Sequence, residues 1–132
     1  MIALDTSALI AVIAGEPEAM QFATVIAEND CLIGAPTRLE AAIVADRHVS
    51  GDQYRDLLRI LSWKNVTTID FSNAHADVAY RAFQKFGRGR GHRAGLNFGD
   101  CMAYAVANLA SAPLLFKGDD FIHTDISPAW RP

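Results

Sequence analysis

Charge of one sign is scarce in this chain. Its 132 residues carry 12 Lys and Arg against 15 Asp and Glu, a formal net charge of -3, with a pI of about 5.7. A protein that coats nucleic acid by charge alone is basic, so the balance argues against that class. An enzyme that concentrates acidic groups in one site remains open. Cysteine is nearly absent. Cys31 and Cys101 lie far apart without metal-type spacing, which reads as two reduced, buried thiols in a cytosolic protein. No charge-free apolar run reaches membrane-spanning length. No basic stretch precedes the short apolar opening, so no secretory signal is expected. The four histidines, His48, His75, His92 and His123, are scattered and match no zinc pattern. They are expected in surface or structural roles, and none pairs with Cys101 to make it a nucleophile. Neither a repeat nor a linker is visible.

What is present is an apolar, regularly punctuated chain, 51% hydrophobic and 20% charged. That is the profile of one compact domain over residues 1–132. Met1 to Leu4 reads as a short buried strand, and Asp5-Thr6-Ser7 favours a helix start. An apolar helix over Ala8 to Ala14 follows, with Gly15 as its stop. Pro17 suits the first turn of a second helix running to about Glu28. Cys31 to Ala35 reads as a strand, punctuated by Pro36-Thr37. A helix over Arg38 to Val49 follows and ends at Ser50-Gly51. Asp52 is placed as the cap of a helix with Tyr54, Leu57, Leu58 and Leu61 at helical spacing, and the Leu57, Leu58 and Leu61 stripe is expected in the core. Val66 to Ile69 is β-branched and reads as a third strand. Helices are expected over Ser72 to Phe86 and Asn97 to Ala110. Between them, Gly87 to Gly95 is too rich in glycine for regular structure. Pro113 precedes a last strand, Leu114-Leu115-Phe116, and the tail is turn-rich. Trp63 and Trp130 are expected in the core or at an interface.

Strands that alternate with helices imply an α/β fold with a mostly parallel central sheet flanked by helices. Such sheets bind ligands at the carboxyl ends of their strands. Asp5 follows the first strand, and Glu40 lies in the first turn of the helix after the second. Asp100 lies in the first turn of the helix after the glycine-rich loop, and Asp119 and Asp120 follow the last strand. Each taken singly reads as a helix cap or a solvated acid, Glu40 also as a partner of Arg38 or Arg47. Together they are expected to converge at one edge. Crowded carboxylates call for a cation, and a hard divalent ion with oxygen ligands suits them. Such sites serve phosphodiester hydrolysis.

The motifs resemble a known family. Met1-Ile2-Ala3-Leu4-Asp5-Thr6-Ser7-Ala8-Leu9 resembles the first motif of PIN-domain nucleases, particularly VapC-type toxins. Glu40 in Thr37-Arg38-Leu39-Glu40 matches the second. Leu96-Asn97-Phe98-Gly99-Asp100-Cys101-Met102-Ala103-Tyr104-Ala105 resembles the third, and Leu114-Leu115-Phe116-Lys117-Gly118-Asp119-Asp120-Phe121 the last. The four cover essentially the whole chain. The resemblance implies a PIN-like fold and cleavage of RNA dependent on Mg2+ or Mn2+. Asp5 and Asp100 would be the principal metal ligands, and Glu40 would complete the acidic site, through a water. Thr6 or Ser7 would hold the scissile phosphate or orient Asp5. Many PIN domains carry Thr-x-Asp after the last strand. Here Lys117 stands in place of the hydroxyl residue, which leaves open whether Asp119 or Asp120 points inward. The resemblance also implies a VapB-type antitoxin that neutralises the nuclease, a homodimer, and contact with operator DNA only through the antitoxin.

Lys85, Arg88, Arg90, His92 and Arg93 form a basic run with no acid before Asp100. Arg88, Arg90 and Arg93 are expected to guide RNA to the site, since guanidinium forks suit phosphate. A flexible solvated loop is the plainer alternative. Two other functions compete with the nuclease. A metal-dependent phosphatase on a similar sheet is opposed by Asp5-Thr6-Ser7, which lacks the second Asp of an aspartyl-phosphate enzyme. An inactive PIN-like RNA- or partner-binding module is opposed by carboxylates kept at all four places.

Overall fold

The computed structural model describes residues 1–47 and 52–132. Four strands, β1 (Ile2–Leu4), β2 (Cys31–Gly34), β3 (Val66–Ile69) and β4 (Leu114–Leu115), form one sheet in the order β3-β2-β1-β4. Every pairing is parallel. Among the described residues, six helices surround it: α1 (Thr6–Ile13), α2 (Ala19–Glu28), α3 (Ala35–Arg47), α4 (Asp52–Leu61), α5 (Asn73–Phe86) and α6 (Phe98–Leu109). A 3-10 turn spans Phe121–His123. Among the described residues, no helix is long and apolar enough to cross a membrane.

β1, β2 and β4 read as apolar runs because both faces of the sheet are covered there, whereas β3, at the edge, carries Thr67 and Thr68. Alternation still shows in which core each residue enters. Ile2, Leu4, Cys31, Ile33 and Leu115 join one core with α1 to α4. Ala3 and Leu114 join the other, with α5 and α6. The second core brings α6 hard against β2. A side-chain carbon at Gly34 would sit 2.8 Å from Val106 Cγ2, so any larger residue there would force Val106 to shift.

Several element boundaries differ from the sequence reading. α1 begins at Thr6, within the helix start read at Asp5-Thr6-Ser7, and ends at Ile13, one residue short of the expected Ala14. Pro17 lies in the turn before α2 rather than inside it. β2 stops at Gly34, and Ala35 and Pro36 open α3. Proline is tolerated in a first helical turn, whose N–H groups lack partners in any case, so Pro36 starts the helix instead of separating strand from helix. Phe116 lies beyond β4. Asp52 is the first residue of α4, not its cap. On α4 the buried pair is Leu57 and Ile60, while Tyr54 and Leu58 are exposed. The expected end of α3 at Val49 to Gly51, and His48, lie outside the described residues. Trp63 and Trp130 pack against the first core, Trp130 edge-on to Phe22 at 5.3 Å.

Candidate active site

Parallel pairing puts all four strand ends on one edge, and the chain leaves β1 there as Asp5. The Asp5 amide donates to Leu115 O at the end of β4 (3.0 Å), which ties the first and last strands together at this point. Asp5 is the N-cap of α1 and takes the Ser7 amide at 3.0 Å. The Ser7 hydroxyl donates to the same Oδ2 at 2.5 Å. It also accepts from the amide of Lys117 (2.9 Å), so one hydroxyl joins the start of α1 to the loop after β4.

Glu40 approaches from α3. Its Oε1 accepts from the hydroxyl of Thr6, which is buried beside Asp5. Its carboxylate lies over Gly99 in α6, where a side-chain carbon would come within 2.9 Å of Glu40 Cδ. The next residue is Asp100. Asn97 and Asp100 close a capping box: the Asp100 amide donates to Asn97 Oδ1 (2.8 Å), and the Asn97 amide donates to Asp100 Oδ2 (3.0 Å). The helix start is thereby fixed, and with it the position of the acid.

The electrostatics follow from this crowding. Burial pushes Asp5 up to about 6; its bonds to Ser7 oppose the shift and the charge of Glu40 adds to it. Burial likewise pushes Asp100 up to about 6, against the bond from Asn97, and the charges of Asp5, Asp120 and Glu40 add to it. Four acids from four separate stretches of chain thus share one field. Among the described residues no Lys or Arg forms an ion pair with any of them. Arg38 turns instead to the hydroxyl of Thr68 (3.4 Å).

The loop after β4 divides its two acids. Asp120 is felt at Asp100, whereas Asp119 lines a separate cavity of about 700 Å³ with Phe22, Phe116, Ile122 and Trp130. Lys117, at the place of the family's hydroxyl residue, turns away to pair with Glu16 and with Glu18 (3.2 Å). Its amide, not its side chain, reaches the site.

Arg88, Arg90 and Arg93 are exposed, and no arginine contributes to the field at Asp100. The loop is irregular, with Gly89 and Gly91 at φ +83° and +77°. Its base is pinned, however, by Arg88 N to Leu96 O and Leu96 N to Phe86 O, both 2.9 Å. His92 serves this loop: its Nδ1 accepts from the Ala94 amide (3.0 Å) and its ring meets Phe86 edge-on. His75 takes part in the capping box of α5.

Two contributors escaped the sequence reading. Asn97 holds Asp100, and the Asn97-x-x-Asp100 spacing was its available signal. Gly99 makes room for Glu40, a role with no signal before the helices are packed. An oxygen-only donor set fits a hard divalent ion. Among the described residues no three acids close into a cage. Magnesium does not need one, since it binds through one or two carboxylates and keeps several waters. Asp5 and Asp100, both desolvated and lacking a protein cation, fit that mode.

Comparisons with known proteins place the chain among relatives. The PIN-domain family profile matches residues 2–127. The chain is 41% identical to ribonuclease VapC30 of Mycobacterium tuberculosis and to a VapC ribonuclease of Mycobacterium bovis, over 98% of both chains in each case. It is 38% identical to a ribonuclease VapC of Mycolicibacterium smegmatis, over 94% of this chain and 96% of the other. Two solved structures share the fold over all of both chains. VapC20 of Mycobacterium tuberculosis, described as a sarcin-ricin loop cleaving toxin, superposes with a TM-score of 0.76 at 17% identity. A toxin-antitoxin complex from Klebsiella pneumoniae does so with 0.74 at 21%. The chain therefore belongs to the PIN-domain family and, within it, to the VapC proteins.

Proposed function

We propose that this chain is a toxin of a toxin–antitoxin pair, an endoribonuclease dependent on Mg2+ or Mn2+ that hydrolyses RNA phosphodiester bonds. The observation that carries this reading is the pair Asp5 and Asp100. Two desolvated carboxylates from opposite ends of the chain, both raised to about 6, share one field with Glu40 and Asp120. Such an arrangement is costly to hold unless a cation enters it. The ribonuclease names of its 38–41% identical relatives support the same substrate.

In this reading Asp5 and Asp100 would hold the ion, and Glu40 and Asp120 would complete the acidic site beside them. The chemistry that a bound divalent ion supplies is Lewis acidity, easing loss of a water proton and offsetting charge on phosphoryl oxygens. Ser7 fixes the rotamer of Asp5, and Thr6 fixes Glu40 as a proton acceptor facing the site. Hydrolysis adds water across one P–O bond: oxygen bonds to phosphorus, its proton passes to a carboxylate, and the departing ester oxygen takes up a proton. Arg88, Arg90 and Arg93 contact phosphates away from the reacting bond.

Neutralisation by a cognate VapB-type antitoxin belongs to the proposal, in keeping with the Klebsiella complex of the same fold. So do a homodimer and contact with operator DNA solely through the antitoxin. The test is manganese titration by calorimetry on antitoxin-free protein, alongside RNA cleavage. Wild type is expected to bind and cut, and Asp100→Asn to do neither. Full binding and cutting by Asp100→Asn contradicts the proposal.

A further inference from the structure

Lys117 makes two attachments, one from its backbone and one from the tip of its side chain. Its amide donates to the Ser7 hydroxyl (2.9 Å), and that hydroxyl donates to Asp5 Oδ2 (2.5 Å). Its ammonium pairs with Glu16 and with Glu18 (3.2 Å). Ser7 lies in the first turn of α1, and Glu16 and Glu18 lie in the turn that follows the same helix. One residue of the loop after β4 is therefore fastened beyond both ends of α1.

The turn that receives the ammonium is itself held. The Glu16 amide donates to Ala11 O (3.0 Å), and Glu16 O accepts from the Ala19 amide (2.9 Å). Pro17 restricts the backbone between the two acids. Among the described residues no other Lys or Arg pairs with either acid, so removing the ammonium leaves two neighbouring carboxylates without a counterion. The loop has little else to hold it on this side, since Gly118 follows at φ +98° with no side chain.

Pairs about one-third exposed add little to stability. Their effect here is on placement. The Lys117 amide meets the hydroxyl that orients Asp5, and a shift of about 1 Å in a reacting group can cost about 10²-fold in rate. We infer that the Lys117 side chain is a positioning residue: by tying the loop after β4 to Glu16 and Glu18, it keeps its own amide on Ser7 and, through Ser7, keeps the Asp5 carboxylate in its working orientation. The inference rests on the nuclease reading for the reaction that this geometry serves.

The experiment uses the full, antitoxin-free chain and breaks the tether from each side. Lys117→Met removes the ammonium, and the double variant Glu16→Gln with Glu18→Gln removes its partners while leaving residue 117 intact. In metal-free protein, hydrogen exchange at the amide of position 117 is expected to quicken roughly 5- to 10-fold in both, the equivalent of one hydrogen bond. With magnesium, kcat for RNA cleavage is expected to fall roughly tenfold or more in both, at unchanged melting temperature and with RNA affinity in EDTA near wild type. Lys117→Arg keeps the charge and is expected to restore both exchange rate and kcat. An exchange rate unmoved in both tether-breaking variants overturns the inference, as does an unchanged kcat in either. A loss of RNA affinity at wild-type kcat in Lys117→Met also overturns it, and makes the ammonium a phosphate contact. If wild type cleaves nothing under any metal, the nuclease reading fails, while the exchange rates still decide whether the side chain holds the amide on Ser7.

Discussion

The Glu40 carboxylate rests on the backbone of Gly99, the residue before Asp100, so that α3 and α6 meet through an acid and a missing side chain. Gly99→Ala puts a methyl group into that contact. What it meets is the end of a flexible side chain, so Glu40 swings away and the fold survives. Alanine is also the better helix former, by about 1 kcal/mol. We expect thermal stability unchanged or slightly raised, with RNA cleavage reduced by roughly one to two orders of magnitude through misplacement of Glu40. Equal loss of stability and activity would show that Gly99 serves only packing.

Asp5 makes stability depend on pH in the metal-free protein. Folded, it releases its proton near 6; unfolded, near the ordinary 3.8. The folded state thus binds the proton more tightly, and this contribution to stability is fully present below pH 3.8 and is lost as pH rises through 6. The span is worth at most about 3 kcal/mol. In EDTA, Asp5→Asn is expected to melt above wild type at pH 7.5, with the gap closing below pH 4. Added magnesium is expected to raise the melting temperature of wild type alone. A gap independent of pH contradicts the burial of an ionised Asp5.

The two acids after β4 separate in space and are expected to separate in function. Asp120 adds to the field at Asp100, and Asp119 faces a different cavity. Asp120→Asn is expected to lower RNA cleavage roughly tenfold or more, in line with outer-shell partners of a metal site. Asp119→Asn is expected to leave it near wild type. Reversal of the two results in a single-turnover assay would move the fourth acid to Asp119.

Ser7 is the bridge between Asp5 and the Lys117 amide. Ser7→Ala removes the hydroxyl that serves both. Urea unfolding is expected to show a loss of about 1 kcal/mol, and cleavage is expected to fall without loss of RNA affinity. By contrast the Lys117 side chain is about one-third exposed in its pairs with Glu16 and Glu18. Lys117→Thr is expected to change stability by less than about 1 kcal/mol.

Much of this was legible in the sequence, for physical reasons. Alternating apolar strands and helices define a parallel sheet, and a parallel sheet fixes which edge Asp5, Glu40 and Asp100 share. Helix starts were less legible. Pro36 fits a first helical turn as well as a break, and only the packing of α3 decides. The choice between Asp119 and Asp120 depends on how the chain turns after β4, where Gly118 sits at φ +98°. No periodicity records that turn. Gly99 is silent for a similar reason, since its neighbour Glu40 is distant in the chain.

The most direct measurement is cleavage of a structured RNA pool by the purified, antitoxin-free protein in magnesium, manganese or EDTA, with Asp100→Asn beside it. Asparagine keeps the oxygen that closes the capping box with Asn97, so the variant tests the charge and not the helix. The account predicts cuts in either metal, none in EDTA and none from the variant. Cutting that persists in EDTA, or from Asp100→Asn at the wild-type rate, would contradict it.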